Sequence, residues 1–283
     1  MIFLVIFFGL AFSLTLFFFL RTKPTEKMVV HPMPPPPLPS AKEAGEARKE
    51  KEEKEKEKMK ALPPARLALI IDDGGYSTDK IKGIVGMGRP MTFAILPNTP
   101  HARKVALIAH ENGEQVMLHL PMEPRDSDRV PLEQDTVLAG MDKQEVQTIL
   151  QKDLAQIPHV RGVNNHMGSK ATEDAKVMQA LMEVLKSKGL FYIDSHTSSH
   201  TVGPQMARQA GIAFGSNYRF IDQENGLESI KKAIRQVMTK ARKEGKAIAI
   251  GHPRPLTAQA IREMIPEIEK AGIKLVFASE VVG

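Results

Sequence analysis

The sequence predicts an α/β fold, a distorted barrel of seven or eight β/α units formed by residues 66–283. Three observations predict it. Short apolar runs rich in β-formers recur from residue 67 onward, an amphipathic helical stretch separates most of them, and several of these stretches end in glycine, as helices often do. A dinucleotide-binding sheet is excluded because Asp72 and Asp73 follow the first strand, where that fold needs a glycine-rich phosphate loop.

Eight apolar runs are the predicted strands. They span residues 67–71, 91–95, 115–118, 161–164, 190–193, 212–214, 247–250 and 274–277. The clearest predicted helices span 172–187, 227–244 and 257–269. Since strands that alternate with helices pair in parallel, their carboxyl ends are expected to meet at one edge of the barrel. A long insertion, residues 121–140, interrupts the alternation after the third strand.

The first 65 residues differ from this body. Residues 2–20 carry no charge, and at about 1.5 Å per residue they just cross a ~30 Å hydrocarbon core. The segment lacks the basic start and small-residue cleavage site of a signal peptide, so residues 1–21 are predicted to be a single-pass transmembrane helix. The basic residues that follow it favour a cytoplasmic C-terminus by the positive-inside rule, whereas the function argued below requires the outer side.

Residues 22–65 are predicted to be a linker. A proline-rich run at 32–39 favours an extended polyproline II spacer, and residues 42–60 mix Lys and Glu at spacings that suit either a disordered or a charged helical segment. The chain has a net charge of +6 but no concentrated basic region in the barrel, so no nucleic-acid partner is predicted. The chain has no cysteine, which excludes disulfides, cysteine-based metal sites and a thiol nucleophile.

Polar residues stand directly after five of the predicted strands. They are Asp72, Asp73, His119, His166, Asp194 and His252. Each alone could cap a helix or anchor a loop, but catalytic groups of a β/α barrel lie at the carboxyl ends of strands, so the set predicts one active site. Imidazole and carboxylate groups are the ligands left to a chain without cysteine, and the set therefore predicts a divalent metal, zinc first, in a hydrolytic site.

The residues suggest roles within such a site. One member of the Asp72–Asp73 pair can bind the cation while the other accepts a proton from water, and His252 can protonate a leaving group. The segment 164–169 offers amides that suit either a polar substrate or the orientation of metal ligands. A serine hydrolase is disfavoured because no Gly-x-Ser-x-Gly elbow exists.

Five segments together resemble the divergent polysaccharide deacetylase family, a branch of the NodB-like carbohydrate esterases. They are Ile-Asp-Asp-Gly-Gly at 71–75, Leu-His-Leu-Pro-Met-Glu-Pro at 118–124, Asn-Asn-His-Met-Gly-Ser at 164–169, Asp-Ser-His-Thr at 194–197 and Gly-His-Pro-Arg-Pro at 251–255. The resemblance covers residues 66–283. It implies a NodB-like distorted barrel that removes acetyl groups from sugars with a divalent metal.

The resemblance also implies roles residue by residue. Asp72 matches the catalytic base, Asp73 and His119 match metal ligands, and His252 matches the catalytic acid. The second histidine of the family's His-x-x-x-His pattern is Glu123 here, so the third ligand is either Glu123 or, as the neutral nitrogen favours, His166. No obvious match exists for the family's Arg-x-Pro-Tyr motif or its aromatic pocket.

The remaining predicted substrate-binding residues are Glu123, Asn164, Asn165 and Asp194. The sequence thus predicts a membrane-tethered, metal-dependent deacetylase whose partner is an acetylated glycan of the cell envelope, with the barrel on the extracytoplasmic side. Two competing readings stay open. One is a catalytically silent barrel that binds a glycan or an envelope protein, and the other is a metal enzyme that cleaves a glycosidic or phosphoester bond.

Overall fold

A computed structural model of the protein describes residues 64–283. The predicted anchor at 1–21 and nearly all of the predicted linker at 22–65 lie outside the described residues, so both stay predictions. Within the described part of the chain, no helix is long and apolar enough to cross a bilayer.

Within residues 64–283, nine strands form one sheet. Their bounds are β1 Ala65–Gly74, β2 Thr92–Ile95, β3 Gln115–Met122, β4 Val160–Met167, β5 Phe191–Asp194, β6 Phe214–Ser216, β7 Arg219–Phe220, β8 Lys246–Gly251 and β9 Ile273–Val276. Eight of them follow the order β6-β5-β4-β3-β2-β1-β8-β7, and β9 pairs with β1. Every pairing between these strands is parallel. The predicted parallel α/β architecture is therefore confirmed, in the form of a curved half-barrel.

Seven α-helices of the described residues connect these strands. They are α1 Thr78–Lys82, α2 Ala102–Glu111, α3 Lys143–Gln156, α4 Ala175–Lys188, α5 Gly203–Ala210, α6 Leu227–Glu244 and α7 Pro255–Lys270. Local chemistry sets their ends. At α4, the Asp174 carboxylate accepts from the backbone N–H groups of Lys176 and Val177, and Gly189 ends the helix in the left-handed conformation at φ 65°.

The curved sheet separates two apolar layers. One lies between the outer face of the sheet and the helices and includes Leu67, Leu69 and Ile71 of β1. The other lies on the inner face and includes Ala68 and Ile70 from the same strand. Since side chains alternate across a strand, the full burial of this run places β1 at the centre of the fold, covered on both faces.

Residues 214–220 connect the two ends of the sheet. The backbone N–H of Asn217 donates to Asp194 O of β5, and that of Tyr218 donates to Ile248 O of β8. Strand β7 was not predicted because two residues are too short to show a period. The strand predicted at 212–214 begins two residues later in the structure, at Phe214. The backbone N–H of Ile212 still donates to Ala207 O at the end of α5.

One charged side chain lies fully buried away from the carboxyl edge of the central strands. Asp153 of α3 has no exposed surface, and its Oδ1 lies 3.4 Å from Asn98 Nδ2. Its Oδ2 has no hydrogen-bond partner among residues 64–283. Burial, together with the negative charge of Asp135, raises the pKa of Asp153 to about 7. An ionised carboxylate is costly at such a position, so the folded protein favours the protonated form.

This raised pKa predicts a pH-dependent stability. Between the ordinary pKa of 3.8 and about 7, the folded state keeps a proton that the unfolded chain has lost. The free energy of unfolding therefore falls as the pH rises through this window. Asp153→Asn removes the charge, and we expect it to flatten this fall and to add about 1–3 kcal/mol at pH 8.

Urea unfolding of the wild-type protein and the variant at pH 5 and pH 8 checks this. Asp128→Asn is the matched control, because the Asp128 side chain is 77% exposed. An Asp153→Asn variant that loses as much stability between the two pH values as the wild type does would contradict the expectation.

Candidate metal centre

The site begins with an irregularity at the end of β1. The register between β1 and β2 shifts between Ile71 and Gly74, and Asp73 has a φ of 55°, in the left-handed region. Consecutive residues of a regular strand point to opposite faces. Here the bulge turns both carboxylates to one side, so Asp72 Oδ2 and Asp73 Oδ1 lie 3.5 and 3.3 Å from His119 Nε2.

Three ligand atoms meet at this point. Asp73 Oδ1, His119 Nε2 and His166 Nδ1 form a triangle with sides of 3.3 Å (Asp73 to His119), 3.2 Å (His119 to His166) and 3.2 Å (Asp73 to His166). The sequence predicts these same three residues as metal ligands, with His166 rather than Glu123 in the third position, and their ligand atoms lie close enough together to hold an ion. The parallel register explains why, since His119 on β3 lies opposite Asn164 on β4, and His166 follows two residues later on the same face.

The triangle fits a tetrahedral cation. Two ligands that each bind zinc at about 2.0–2.1 Å are about 3.3 Å apart in a tetrahedral site, which is close to all three observed sides. Asp73 Oδ1 is buried and makes no hydrogen bond within the described part of the chain, as expected for an oxygen that needs a cation. Two nitrogens and one carboxylate oxygen also match the ligand chemistry of a catalytic zinc site with an open fourth position.

A hydrogen bond between His119 and Asn164 fixes the orientation of the His119 ring. Its Nδ1 lies 2.9 Å from Asn164 Oδ1, which can only accept, so we assign the proton to Nδ1. The lone pair of Nε2 then faces Asp73 and His166. Burial alone lowers the pKa of His119, but the charges of Asp72 and Asp73 outweigh it and raise the pKa in the absence of a cation.

The two aspartates differ in environment. Asp72 is 2% exposed, and its Oδ1 accepts from Asn164 Nδ2 at 2.8 Å. Burial raises the pKa of Asp72, against the lowering effects of His119 and Asn164. At Asp73 burial also raises the pKa, but the close approach of His119 and His166 outweighs it and holds the pKa well below its usual range. Asp72 is thus the stronger proton acceptor, and Asp73 stays ionised as a ligand should.

His252 reaches the same centre from the end of β8. Its Nε2 lies 3.8 Å from Asp73 Oδ2, and its Nδ1 lies 2.9 Å from Asp222 Oδ1. Asp222 is 1% exposed and also accepts from the backbone N–H of His252 and from Thr257 Oγ1. Burial lowers the pKa of His252, but the hydrogen bond and charge of Asp222 outweigh it and raise the pKa. The imidazole is therefore oriented with Nε2 toward the centre and favours its protonated form.

Sequence reasoning missed Asp222. It follows β7, which was too short to be predicted, and no motif marks it. The one sequence signal was that Asp222 follows the apolar pair Phe220-Ile221. In the structure, Ile221 N donates to Ile250 O of β8, which places Asp222 beside His252 at the end of that strand.

Glu123 lies in the 121–140 insertion and serves that loop. Its carboxylate accepts from Lys170 Nζ at 2.7 Å, from Ala139 N at 2.9 Å and from Ser127 Oγ at 3.1 Å. These contacts lower its pKa against the effect of burial, and Glu123 is not among the residues of the ligand triangle. It fastens the insertion at both of its ends.

Asn165 and Asp194 were predicted to bind substrate, and the structure places both behind the sheet. Each is 1% exposed. Asn165 Oδ1 accepts from Ser195 N, and Asp194 accepts from His196 N and Thr201 Oγ1. Neither offers surface to a substrate, and we reassign both to holding the loop that follows β5. Asn164 is fully buried as well and cannot contact a substrate directly.

The sequence and the fold of this chain are similar to those of known proteins. The divergent polysaccharide deacetylase family matches residues 69–282. An uncharacterized protein of Escherichia coli, YibQ, is 34% identical over 200 residues, which span 71% of this chain and 62% of that protein. This chain thus matches less than two thirds of that relative's length.

Solved structures share the fold. The crystal structure of an uncharacterized protein from Agrobacterium tumefaciens has a TM-score of 0.73 at 21% identity, over 78% of this chain and 91% of that one. The crystal structure of a mutant of a CE4 family pseudoenzyme has a TM-score of 0.50 at 13% identity, over 77% of this chain and 67% of that one. At these identities the likeness concerns the fold alone. The match over residues 69–282 covers most of the chain, and the protein therefore belongs to the divergent polysaccharide deacetylase family.

Proposed function

We propose that this protein is a metal-dependent hydrolase that removes acetyl groups from a polysaccharide of the cell envelope. The observation that carries the proposal is the triangle of Asp73, His119 and His166, whose buried Asp73 Oδ1 has no hydrogen-bond partner in the described residues. The family supplies the class of substrate, and the ligand chemistry favours zinc.

A bound divalent cation would supply Lewis acidity, which activates water and stabilises negative charge on the acetyl oxygen. Asp72 then accepts the proton of the attacking water. Its Oδ1 is occupied by the amide of Asn164, so Oδ2, which lies 3.5 Å from His119 Nε2, is the oxygen that faces the reaction. Its burial makes it a stronger base than an exposed aspartate, which suits proton abstraction near neutral pH.

His252 donates a proton to the leaving nitrogen or oxygen of the sugar. Its Nδ1–H is held by Asp222, which leaves Nε2 to carry the transferred proton. Asp222 also stabilises the protonated ring, because a buried carboxylate at 2.9 Å favours the imidazolium. The base and the acid both reach the ligand triangle, so attack on the carbonyl and departure of the sugar occur at one centre.

The surface around the site suits a shallow sugar subsite. Tyr76 and Tyr218 are the exposed aromatic side chains among the described residues, each 45% exposed. Tyr76 follows the two aspartates by three residues, and its hydroxyl donates to Glu133 Oε1 of the insertion at 2.5 Å. A fixed, exposed aromatic ring at this place provides a flat face of the kind that sugars pack against.

The proposed substrate implies a location. Residues 1–21 are proposed to anchor the protein in the membrane, and residues 22–65 to hold the barrel away from it on the extracytoplasmic side. The uncharged run at 2–20 supports the anchor, and the proline-rich run at 32–39 supports a stiff spacer.

The metal ligands are tested by binding. We expect the purified protein to hold about one equivalent of zinc after desalting, and Asp73→Ala, His119→Ala and His166→Ala each to lose it, because a three-ligand site does not survive the loss of a ligand. Elemental mass spectrometry measures the bound metal. Glu123→Gln is the control and should keep it. Zinc lost from Glu123→Gln but kept in His166→Ala would contradict the ligand set.

The base is tested by acetate release from acetylated oligosaccharides and from peptidoglycan. We expect Asp72→Asn to lower the turnover number by about 10²–10⁴-fold, the usual contribution of a general base, while zinc binding is retained. An enzymatic acetate assay on zinc-loaded protein checks this. A folded, zinc-loaded wild type that releases no acetate but binds the glycan would favour the silent barrel. Release of a reducing sugar or of phosphate instead would favour the third reading.

The topology is tested with reporters fused to the C-terminus. We expect an alkaline phosphatase fusion to be active in cells and a cytoplasmic green fluorescent fusion to be dark, because the barrel follows a single span that leads outward. The reverse pattern would place the barrel inside, as the basic residues after the span favour.

A further inference from the structure

We propose that Asn164 is the positioning residue that joins the general base to the metal centre. One amide orients both Asp72 and His119, and only a side chain that donates and accepts at the same point can serve both. This inference rests on the proposed function for the roles of the two partners, but not for the contacts themselves.

The contacts are direct and buried. Asn164 Oδ1 lies 2.9 Å from His119 Nδ1, and Asn164 Nδ2 lies 2.8 Å from Asp72 Oδ1 and 3.3 Å from Ser195 Oγ. Asn164 has no exposed surface. It therefore touches neither solvent nor substrate, and any effect on the reaction passes through its partners.

The direction of the amide is not free. The Asp72 carboxylate can only accept while it is ionised, so the NH2 group of Asn164 must face it. The carbonyl then faces His119 and requires a proton on Nδ1. That proton leaves the Nε2 lone pair to the ligand triangle. The base thus fixes the amide, and the amide fixes the tautomer of the ligand.

The backbone makes this bridge possible. Residues His119 and Asn164 lie opposite each other in the β3–β4 register, so their side chains stand side by side on the inner face. The bulge at the end of β1 brings Asp72 to the same place from across β2. On that intervening strand the inner layer holds Ala94, whose small side chain leaves room for the contact.

Two substitutions separate the functions of the amide. Asn164→Leu has a similar volume and no hydrogen-bonding group, so it removes both contacts. Asn164→Asp still accepts from His119 Nδ1–H but presents a second carboxylate to Asp72. Two carboxyl groups at hydrogen-bond distance share one proton, and the pair takes up a second proton less readily than a single carboxylate does, so Asp72 becomes a weaker base.

The first measurement is zinc affinity by competition with a chelating dye. We expect Asn164→Leu to weaken binding by about 10–100-fold, as loss of a ligand's hydrogen-bond partner does, and Asn164→Asp to stay within about 3-fold of the wild type. The second measurement is nitrogen NMR of His119 in metal-free protein at a pH high enough for the ring to be neutral, which reads the tautomer. We expect a proton on Nδ1 in the wild type and a mixture of tautomers in Asn164→Leu.

The third measurement is deacetylation at saturating zinc. We expect Asn164→Asp to lower kcat by about 100-fold with KM unchanged, because the base is weaker while the buried side chain does not meet the substrate. Asn112→Asp is the matched control. Asn112 caps the end of α2, where its amide donates to Ile108 O, and the same substitution there should leave both zinc affinity and kcat as in the wild type.

Zinc affinity equal to wild type in Asn164→Leu, or kcat equal to wild type in Asn164→Asp, would overturn the proposal. If Asn164→Leu does not fold, the pattern in Asn164→Asp decides, since retained zinc with lost turnover is not a folding defect. A wild type without deacetylase activity defeats the proposed function alone, because zinc affinity and the His119 tautomer still judge the bridge.

Discussion

The candidate centre depends on a local break in strand alternation at the end of β1. A regular strand would send Asp72 and Asp73 to opposite faces, one into the barrel and one toward the helices. The register shift and the φ of 55° at Asp73 turn both inward. A left-handed residue other than glycine is strained, and aspartate is among the residues that tolerate it best. The two carboxylates that a ligand and a base require therefore come from adjacent residues.

Burial then determines how the rest of the site is arranged. The Asp72 and His119 side chains are almost wholly buried, so each needs partners that do not move. Asn164 donates a hydrogen bond to Asp72 and accepts one from His119, and Asp222 accepts one from His252. The same requirement explains why Asp73 Oδ1 stands out. It lies among groups that are satisfied, and a cation in the triangle is the partner that its position suits.

Much of this could be predicted because parallel strands carry their following residues to one edge. That rule brought Asp72, Asp73, His119, His166 and His252 together from four separate segments. The rule fails where a shift of one residue along a strand turns a side chain to the opposite face of the sheet. Asn165 and Asp194 also stand at strand ends, but alternation directs them behind the sheet, and the sequence alone could not fix that register. Asp222 was not predicted because the strand before it, β7, has only two residues and shows no periodic pattern. The segment 1–63 lies beyond what the structure describes.

In this chain, the residues of the ligand triangle are separate from Glu123, which holds the 121–140 insertion, whereas the family pattern would make position 123 a ligand as well. The His-x-x-x-His pattern that the resemblance implies would place two ligands four residues apart in one segment. Here His119 and His166 lie on neighbouring strands, β3 and β4, whose hydrogen-bonded register holds them. Glu123, which is not part of the ligand triangle, instead holds the 121–140 insertion through Ser127 and Ala139 and ties it to Lys170. Glu133 of the insertion accepts a hydrogen bond from the Tyr76 hydroxyl, which holds this exposed ring in place near the two aspartates. The residues around Tyr76 are therefore held separately from the ligand triangle, which the sheet holds.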